Sequence, residues 1–240
     1  MRRDLALAAL LWAVLTGVGE ALLVAFDFQP SALSDKGERI KDAVSILAYF
    51  AMPVLALVLA GLVYSVVRFR GRGPEEEGTP IRAGIVPWIW LGATSALAFT
   101  IMLYPGLWGT VEVAKGSSSQ SLTVQVEGLQ WTWLVHYPGQ GLKNQRELVL
   151  PVGQEVTIEV TSRDVLHSFW VPALMMKIDA IPGTVNRITF TPQEADSYAN
   201  NPLLRLQCAE LCGLSHARMV IPVRLVEKQE FLNWVEQQKR

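Results

Sequence analysis

The sequence predicts a membrane-anchored protein: two or three N-terminal transmembrane α-helices, then an all-β sandwich on the extracytoplasmic side. Three observations predict it. Half of the 240 residues are hydrophobic, and the excess collects in three stretches, Leu5 to Phe26, Ala43 to Val67 and Gly84 to Leu107. Each exceeds the roughly 20 residues with which a helix crosses the hydrocarbon core. From Leu122 the pattern becomes short alternating runs broken by Gly, Pro and Asn, the signature of strands in a sandwich. Finally, both cysteines fall with one of the three histidines in a single short segment near the C-terminus.

Taken in order, the first stretch follows Arg2 and Arg3 and reads as a retained helix. A cleaved signal has an apolar core of about 7–15 residues and a small-x-small site, and this stretch is longer and lacks one. Glu20 inside it must face protein or water, which points to a lateral contact with a neighbouring subunit. The second stretch opens after the polar lead-in S-D-K-G-E-R-I-K-D and closes in V-V-R-F-R-G-R-G. Gly71 to Pro80, with Glu75, Glu76 and Glu77, then reads as a short turn between antiparallel helices. The third begins I-V-P-W-I-W, with tryptophans suited to the membrane interface.

Arg68, Arg70, Arg72 and Arg82 cluster between the second and third stretches, and positive charge marks the cytoplasmic side. The N-terminus is therefore expected inside, and everything after Leu107 outside. Residues 1–110 form the helical region, 111–121 a linker that includes the flexible run Gly116 to Ser121, and 122–240 the sandwich. The expected strands are antiparallel and include L-T-V-Q-V-E-G-L-Q-W-T-W-L-V-H-Y, E-L-V-L-P-V-G-Q-E-V-T-I-E-V and N-R-I-T-F-T-P. Phe231, Leu232 and Trp234 share a spacing that fits a terminal helix packed by one face. With a net charge of −1 no basic face points to nucleic acid.

The chemistry concentrates in Gln207 to Met219, Q-C-A-E-L-C-G-L-S-H-A-R-M. Cys208, Cys212, His216 and Met219 offer two thiolates, an imidazole and a thioether, a soft donor set that suits copper. His167, in D-V-L-H-S-F-W-V-P, follows the alternating run Glu155 to Val160 and is the best candidate to complete the site from a strand end. His136 reads as a surface or turn residue. Two cysteines four apart outside the cytoplasm could also form a disulfide, and two Cys with two His could hold a structural zinc. Neither alternative accounts for Met219.

The segments D-V-L-H-S-F-W-V-P, K-I-D-A-I-P-G and C-A-E-L-C-G-L-S-H-A-R-M, in that order, resemble subunit II of the haem-copper cytochrome c oxidases of the aa3 type. The likeness covers most of the chain from about Ala43. It implies a cupredoxin-like sandwich and a dinuclear copper centre, CuA, bridged by Cys208 and Cys212. His167 and His216 would be its terminal ligands, and Met219 and the Glu210 carbonyl its weak ones. The run Gln130-Trp131-Thr132-Trp133 is similar to the family's aromatic stretch, which implies that Trp131 receives the electron from cytochrome c and that Trp133 is structural. The Glu210 side chain would reach a magnesium ion at the boundary with subunit I, which Asp179 also faces; Thr184 stands where relatives carry arginine.

Haem is expected only in subunit I, and the implied partners are subunit I, the other oxidase subunits, cytochrome c or a similar donor, and membrane lipid. The implied location is a bacterial plasma membrane. No acid lies between Ile81 and Trp90 to take the family's proton-path role. A quinol oxidase subunit would lack the copper ligands. A copper-containing nitric oxide reductase differs in its partner subunit, and a membrane-tethered shuttle cupredoxin is the non-enzymatic alternative.

Overall fold

The structure, a computed structural model, describes residues 2–26, 28–68, 70, 84–113 and 120–240. The chain divides into two compact units: Met1–Phe28 with Asp42–Glu112, and Gln29–Lys41 with Val113–Arg240. The turn expected at Gly71 to Pro80, Arg72, Arg82 and residues 114–119 of the expected linker lie outside the described residues.

In the first unit α1 spans Arg2–Ala25, α2 Asp35–Arg68 and α3 Val86–Ile101, and α4 covers Trp108–Val113. A wide-turn stretch, Met102–Leu107, joins α3 to α4 and contains Pro105 beside a non-helical Tyr104; a proline ring cannot continue the regular ladder. Three helical spans here are long and apolar enough to cross a membrane. Their leucines and valines stay largely exposed, as side chains that meet lipid should.

α1 packs antiparallel on α2. At one end Asp4 Oδ1 accepts from Tyr64 Oη at 2.9 Å and from Arg68 Nε at 3.2 Å. Further along, Trp12 Nε1 donates to the Pro53 carbonyl at 2.8 Å. Gly19 lies so close to the Met52 side chain that a Cβ there would overlap it. Ala56 and Ala60 are buried, and such small residues let two helices approach closely where no hydrophobic force separates protein from lipid.

In the second unit the strands are β1 Leu122–Leu129, β2 Thr132–Tyr137, β3 Leu142–Gln145, β4 Leu148–Pro151, β5 Val156–Ser162, β6 His167–Val171, β7 Met176–Ala180, β8 Asn186–Phe190, β9 Asp196–Ser197, β10 Arg205–Cys208 and β11 Val220–Val226. Helix α5, Lys228–Gln238, follows. One sheet has the order β3-β2-β1-β5-β8, the other β4-β11-β10-β6-β7 with β9 on β11. Alternation sends Leu122, Val124 and Val126 of β1 inward, where they join the core formed between the sheets.

The expected antiparallel pairing holds only in part, because β1 pairs with β5 and β11 with β4 in parallel. A period of two decides which face of a strand is buried but not which strand lies beside it. The polar lead-in also differs from expectation, since Asp35–Lys41 is the first part of α2 and belongs with the sandwich. Leu33 N–H donates to the Ala173 carbonyl at 2.8 Å. Asp35 Oδ1 accepts the Thr191 N–H at 2.7 Å. Ser34 Oγ donates to the Leu174 carbonyl at 2.8 Å and caps the Gly37 N–H at 3.0 Å.

α5 buries Phe231, Trp234 and Val235 and leaves Leu232 exposed. Its aromatics pack on Tyr137, with ring centroids at 6.0 Å for Phe231 and 5.1 Å for Trp234. The Tyr137 hydroxyl donates to the Val149 carbonyl at 3.0 Å and accepts the Val149 N–H at 2.8 Å. Burial pushes its phenol above the ordinary range. Tyr137→Phe leaves a buried N–H and C=O unpaired and should cost about 1–3 kcal/mol, read as an earlier unfolding midpoint of the detergent-solubilised chain. An unchanged midpoint would mean that Val149 is satisfied otherwise.

Candidate metal centre

The ligand loop leaves one strand of a sheet and returns to the next. β10 pairs with β6 so that Cys208 stands opposite Phe169, and with β11 through Gln207 and Val220. Cys208 N–H donates to the Met219 carbonyl at 3.1 Å and closes the loop at its base. Gly213, at φ +115, turns the chain where a side chain would be strained. A Cβ there would also press on Gln130 Nε2 and the Trp131 ring. His167 is the first residue of β6, next to β10. The sheets thus deliver His167 and the loop to one end of the sandwich.

Along this end the donors form a chain. His167 Nδ1 lies 3.7 Å from Cys208 Sγ, Cys208 Sγ 3.8 Å from Cys212 Sγ, and Cys212 Sγ 3.5 Å from His216 Nδ1. Two weaker donors flank it, with the Glu210 carbonyl 3.1 Å from Cys208 Sγ and Met219 Sδ 3.8 Å from Cys212 Sγ. His167, Cys208, Cys212 and Met219 are buried. Both cysteines are free thiols. Burial first, then the neighbouring Cys208, pushes the Cys212 thiol up to about 12, so a metal that takes up the thiolate must displace a proton.

The arrangement could hold a metal ion at His167, Cys208 and Cys212. A single tetrahedral ion, with metal–sulfur near 2.3 Å and metal–nitrogen near 2.0 Å, would hold all four donors within about 4 Å of one another. His167, Cys208 and Cys212 do lie within 4.8 Å of one another, but His216 is not part of that group. The open run, imidazole, thiol, thiol, imidazole, with a weak donor beside each thiol, offers soft donors that suit copper.

Around the ligands the structure places the other expected residues, with some corrections. Trp131 occupies the two-residue turn between β1 and β2, not a strand, and is partly exposed. Its Nε1 donates to the Cys212 carbonyl at 3.2 Å, which also accepts from Gln130 Nε2 at 2.8 Å. Trp133 is wholly buried, its ring centroid 6.0 Å from that of His167 and 6.5 Å from that of Phe169. Its Nε1 has no partner among the described residues.

His136 is a half-buried strand residue and not a surface one, with Nε2 3.3 Å from Glu127 Oε2 and Nδ1 accepting the Asn144 N–H at 3.1 Å. β2 lies between β1 and β3, and that cover is not visible in the motif L-V-H-Y alone. Glu210 is half-buried in the loop and Asp179 is exposed on β7. Neither carboxylate belongs to a metal-capable group among the described residues.

Sequence reading missed Gly128, which faces Trp133 across β1 and β2. A Cβ there would lie 2.9 Å from His167 Cδ2 and 3.1 Å from Trp133 Cζ3, so the absence of a side chain lets both rings pack. Gly128→Ala should tilt the His167 ring at a cost of about 1–3 kcal/mol and weaken metal binding in titrations of the purified chain. Wild-type affinity would show that the ring relaxes freely. The lone glycine in E-G-L-Q was the only available signal.

Residues 139–226 match the family profile for the cytochrome c oxidase subunit II periplasmic domain. A cytochrome c oxidase subunit 2 from Alkalihalophilus pseudofirmus is 29% identical over 216 residues, covering 86% of this chain and 61% of that one. This chain therefore spans less than two thirds of that relative. A probable cytochrome c oxidase subunit 2 from Rickettsia bellii is 29% identical, covering 87% of this chain and 82% of its own length. The crystallised periplasmic domain of subunit II of cytochrome oxidase from Bradyrhizobium japonicum is 36% identical, covering 51% of this chain and 96% of that domain, with a TM-score of 0.44.

Proposed function

The chain belongs to the cytochrome c oxidase subunit II family, and from that premise we propose that it is the electron-accepting subunit of an aa3-type haem-copper oxidase. In this reading it takes electrons from cytochrome c at a CuA centre and passes them to haem in subunit I, where oxygen is reduced to water and protons are moved. The observation that carries it is the donor run His167, Cys208, Cys212, His216 with Glu210 O and Met219 Sδ beside it.

A bound copper pair would supply a one-electron couple shared by two ions, whose geometry changes little between redox states. The chain's own residues do the rest. Cys208, Cys212, His167 and His216 would hold the pair, with Met219 and the Glu210 carbonyl as weaker donors. Burial of the donors excludes water, and the β10 and β11 ladder fixes the loop so that little reorganises. Trp131, partly exposed and bonded to the Cys212 carbonyl, gives a donor an aromatic edge in contact with a ligand's own peptide.

The Glu210 carboxylate is the acid offered to a magnesium ion completed by subunit I, in keeping with that ion's use of one or two carboxylates plus other oxygens, and Asp179 faces the same boundary. In this reading the arginines before the first stretch and between the second and third support an N-terminus on the cytoplasmic side of a bacterial plasma membrane, with the sandwich outside it. The close packing of α1 on α2 supports a retained first helix.

Oxygen uptake by the purified membrane complex with reduced cytochrome c tests the assignment. Uptake that is lost without this chain is expected. Consumption of nitric oxide instead, in a complex with non-haem iron, would move the chain to the nitric oxide reductases.

A further inference from the structure

Between the donor run and the turn bearing Trp131 lies a carboxylate to which neither the motif nor the proposed function gives a role. Asp164 sits in the connection from β5 to β6, three residues before His167. Its Oδ1 lies 2.8 Å from His167 Nε2 and accepts the Val165 N–H at 2.7 Å. Its Oδ2 accepts the Gln130 N–H at 2.7 Å. Ser162 Oγ approaches Oδ1 at 3.4 Å.

An ionised carboxylate only accepts hydrogen bonds, so His167 Nε2 carries the ring proton. Nδ1 is then left with a free lone pair on the side of Cys208 Sγ, 3.7 Å away. The other oxygen holds the peptide of Gln130, whose amide side chain and whose neighbour Trp131 both donate to the Cys212 carbonyl. A local turn would account for the Val165 and Ser162 contacts. It would not account for the bonds to His167 and to Gln130, the latter 34 residues away in the turn after β1, the strand beside β5.

We infer that Asp164 is a positioning residue that sets the coordinating nitrogen of His167 and, through its second oxygen, ties the Trp131 turn to the same ligand. The electron-receiving turn and the terminal ligand then move as one body. The inference rests on the copper reading of the site, and its tests separate the two.

Selective 15N labelling reads the three histidines of the wild-type, metal-free chain directly. His167 is expected as the Nε2–H tautomer, and an Nδ1–H tautomer overturns the inference without any variant. In the copper-loaded full chain, Asp164→Ala should lower copper affinity about 10–100-fold, change the His167 nitrogen coupling in pulsed electron paramagnetic resonance and raise the reduction potential. Asp164→Asn discriminates the two arms. Its carbonyl can still accept from His167, but its NH₂ then faces the Gln130 N–H, donor against donor.

Asp164→Asn should therefore keep most of the affinity and nitrogen coupling while electron uptake from reduced cytochrome c falls about tenfold. Wild-type affinity, coupling and uptake in both variants would overturn the role. So would equal loss of all three in Asn and Ala. If the wild-type chain bound copper without a shared-pair spectrum, the proposed function would fall, and the tautomer measurement would still decide the role of Asp164.

Discussion

Trp131→Ala is expected to slow reduction of the protein by cytochrome c about 100-fold, equivalent to about 2.7 kcal/mol of barrier, with copper content unchanged. Two features of the structure separate transfer from binding in this way. The indole is no ligand, and the donor run His167, Cys208, Cys212, His216 stands without it. It is also a partly exposed aromatic whose N–H reaches the backbone carbonyl of Cys212. Trp131→Phe keeps a ring at the turn and removes only that N–H, so it should fall between wild type and alanine. Donor kinetics unchanged by Trp131→Ala would place electron uptake elsewhere. Loss of copper would show that the turn is part of the frame.

Cys208→Ser is expected to abolish the shared-metal centre altogether. A serine hydroxyl is hard and stays protonated, whereas the site pairs two buried sulfurs 3.8 Å apart, each beside an imidazole nitrogen. Without that sulfur Cys212 keeps His216 and Met219 beside it, while His167 and the Glu210 carbonyl lose the thiol each lies against. The variant should bind at most one copper per chain and lose cytochrome c oxidation in the complex. Two coppers with a wild-type spectrum in the serine variant would show that the sulfur of Cys208 does not bridge.

The metal loop was legible in the sequence because its donors are contiguous: five of the six expected ligating groups lie between Cys208 and Met219, and the strand flanks on either side follow from alternation. His167 was legible from its place after an alternating run. The spans were legible because lipid demands long apolar helices. What pairwise placement decides was not. The parallel pairings of β1 with β5 and β4 with β11 depend on which strands become neighbours. So does the reach of Gln130 and Trp131 to Cys212, which joins residues about eighty positions apart. Asp164 stood inside the quoted motif D-V-L-H. Its role follows only from the second oxygen's bond to Gln130, in the turn after the neighbouring strand β1. The capping of α2 by Ser34 and its docking by Asp35 depend on partners at Leu174 and Thr191, which the polar lead-in does not name.

Electron paramagnetic resonance of the oxidised, copper-loaded full chain, with copper counted on the same sample, tests the central claim most directly. Two coppers per chain and one unpaired electron coupled equally to both nuclei are the expected result. A single copper with an ordinary one-nucleus pattern, or a silent site filled by zinc, would contradict it.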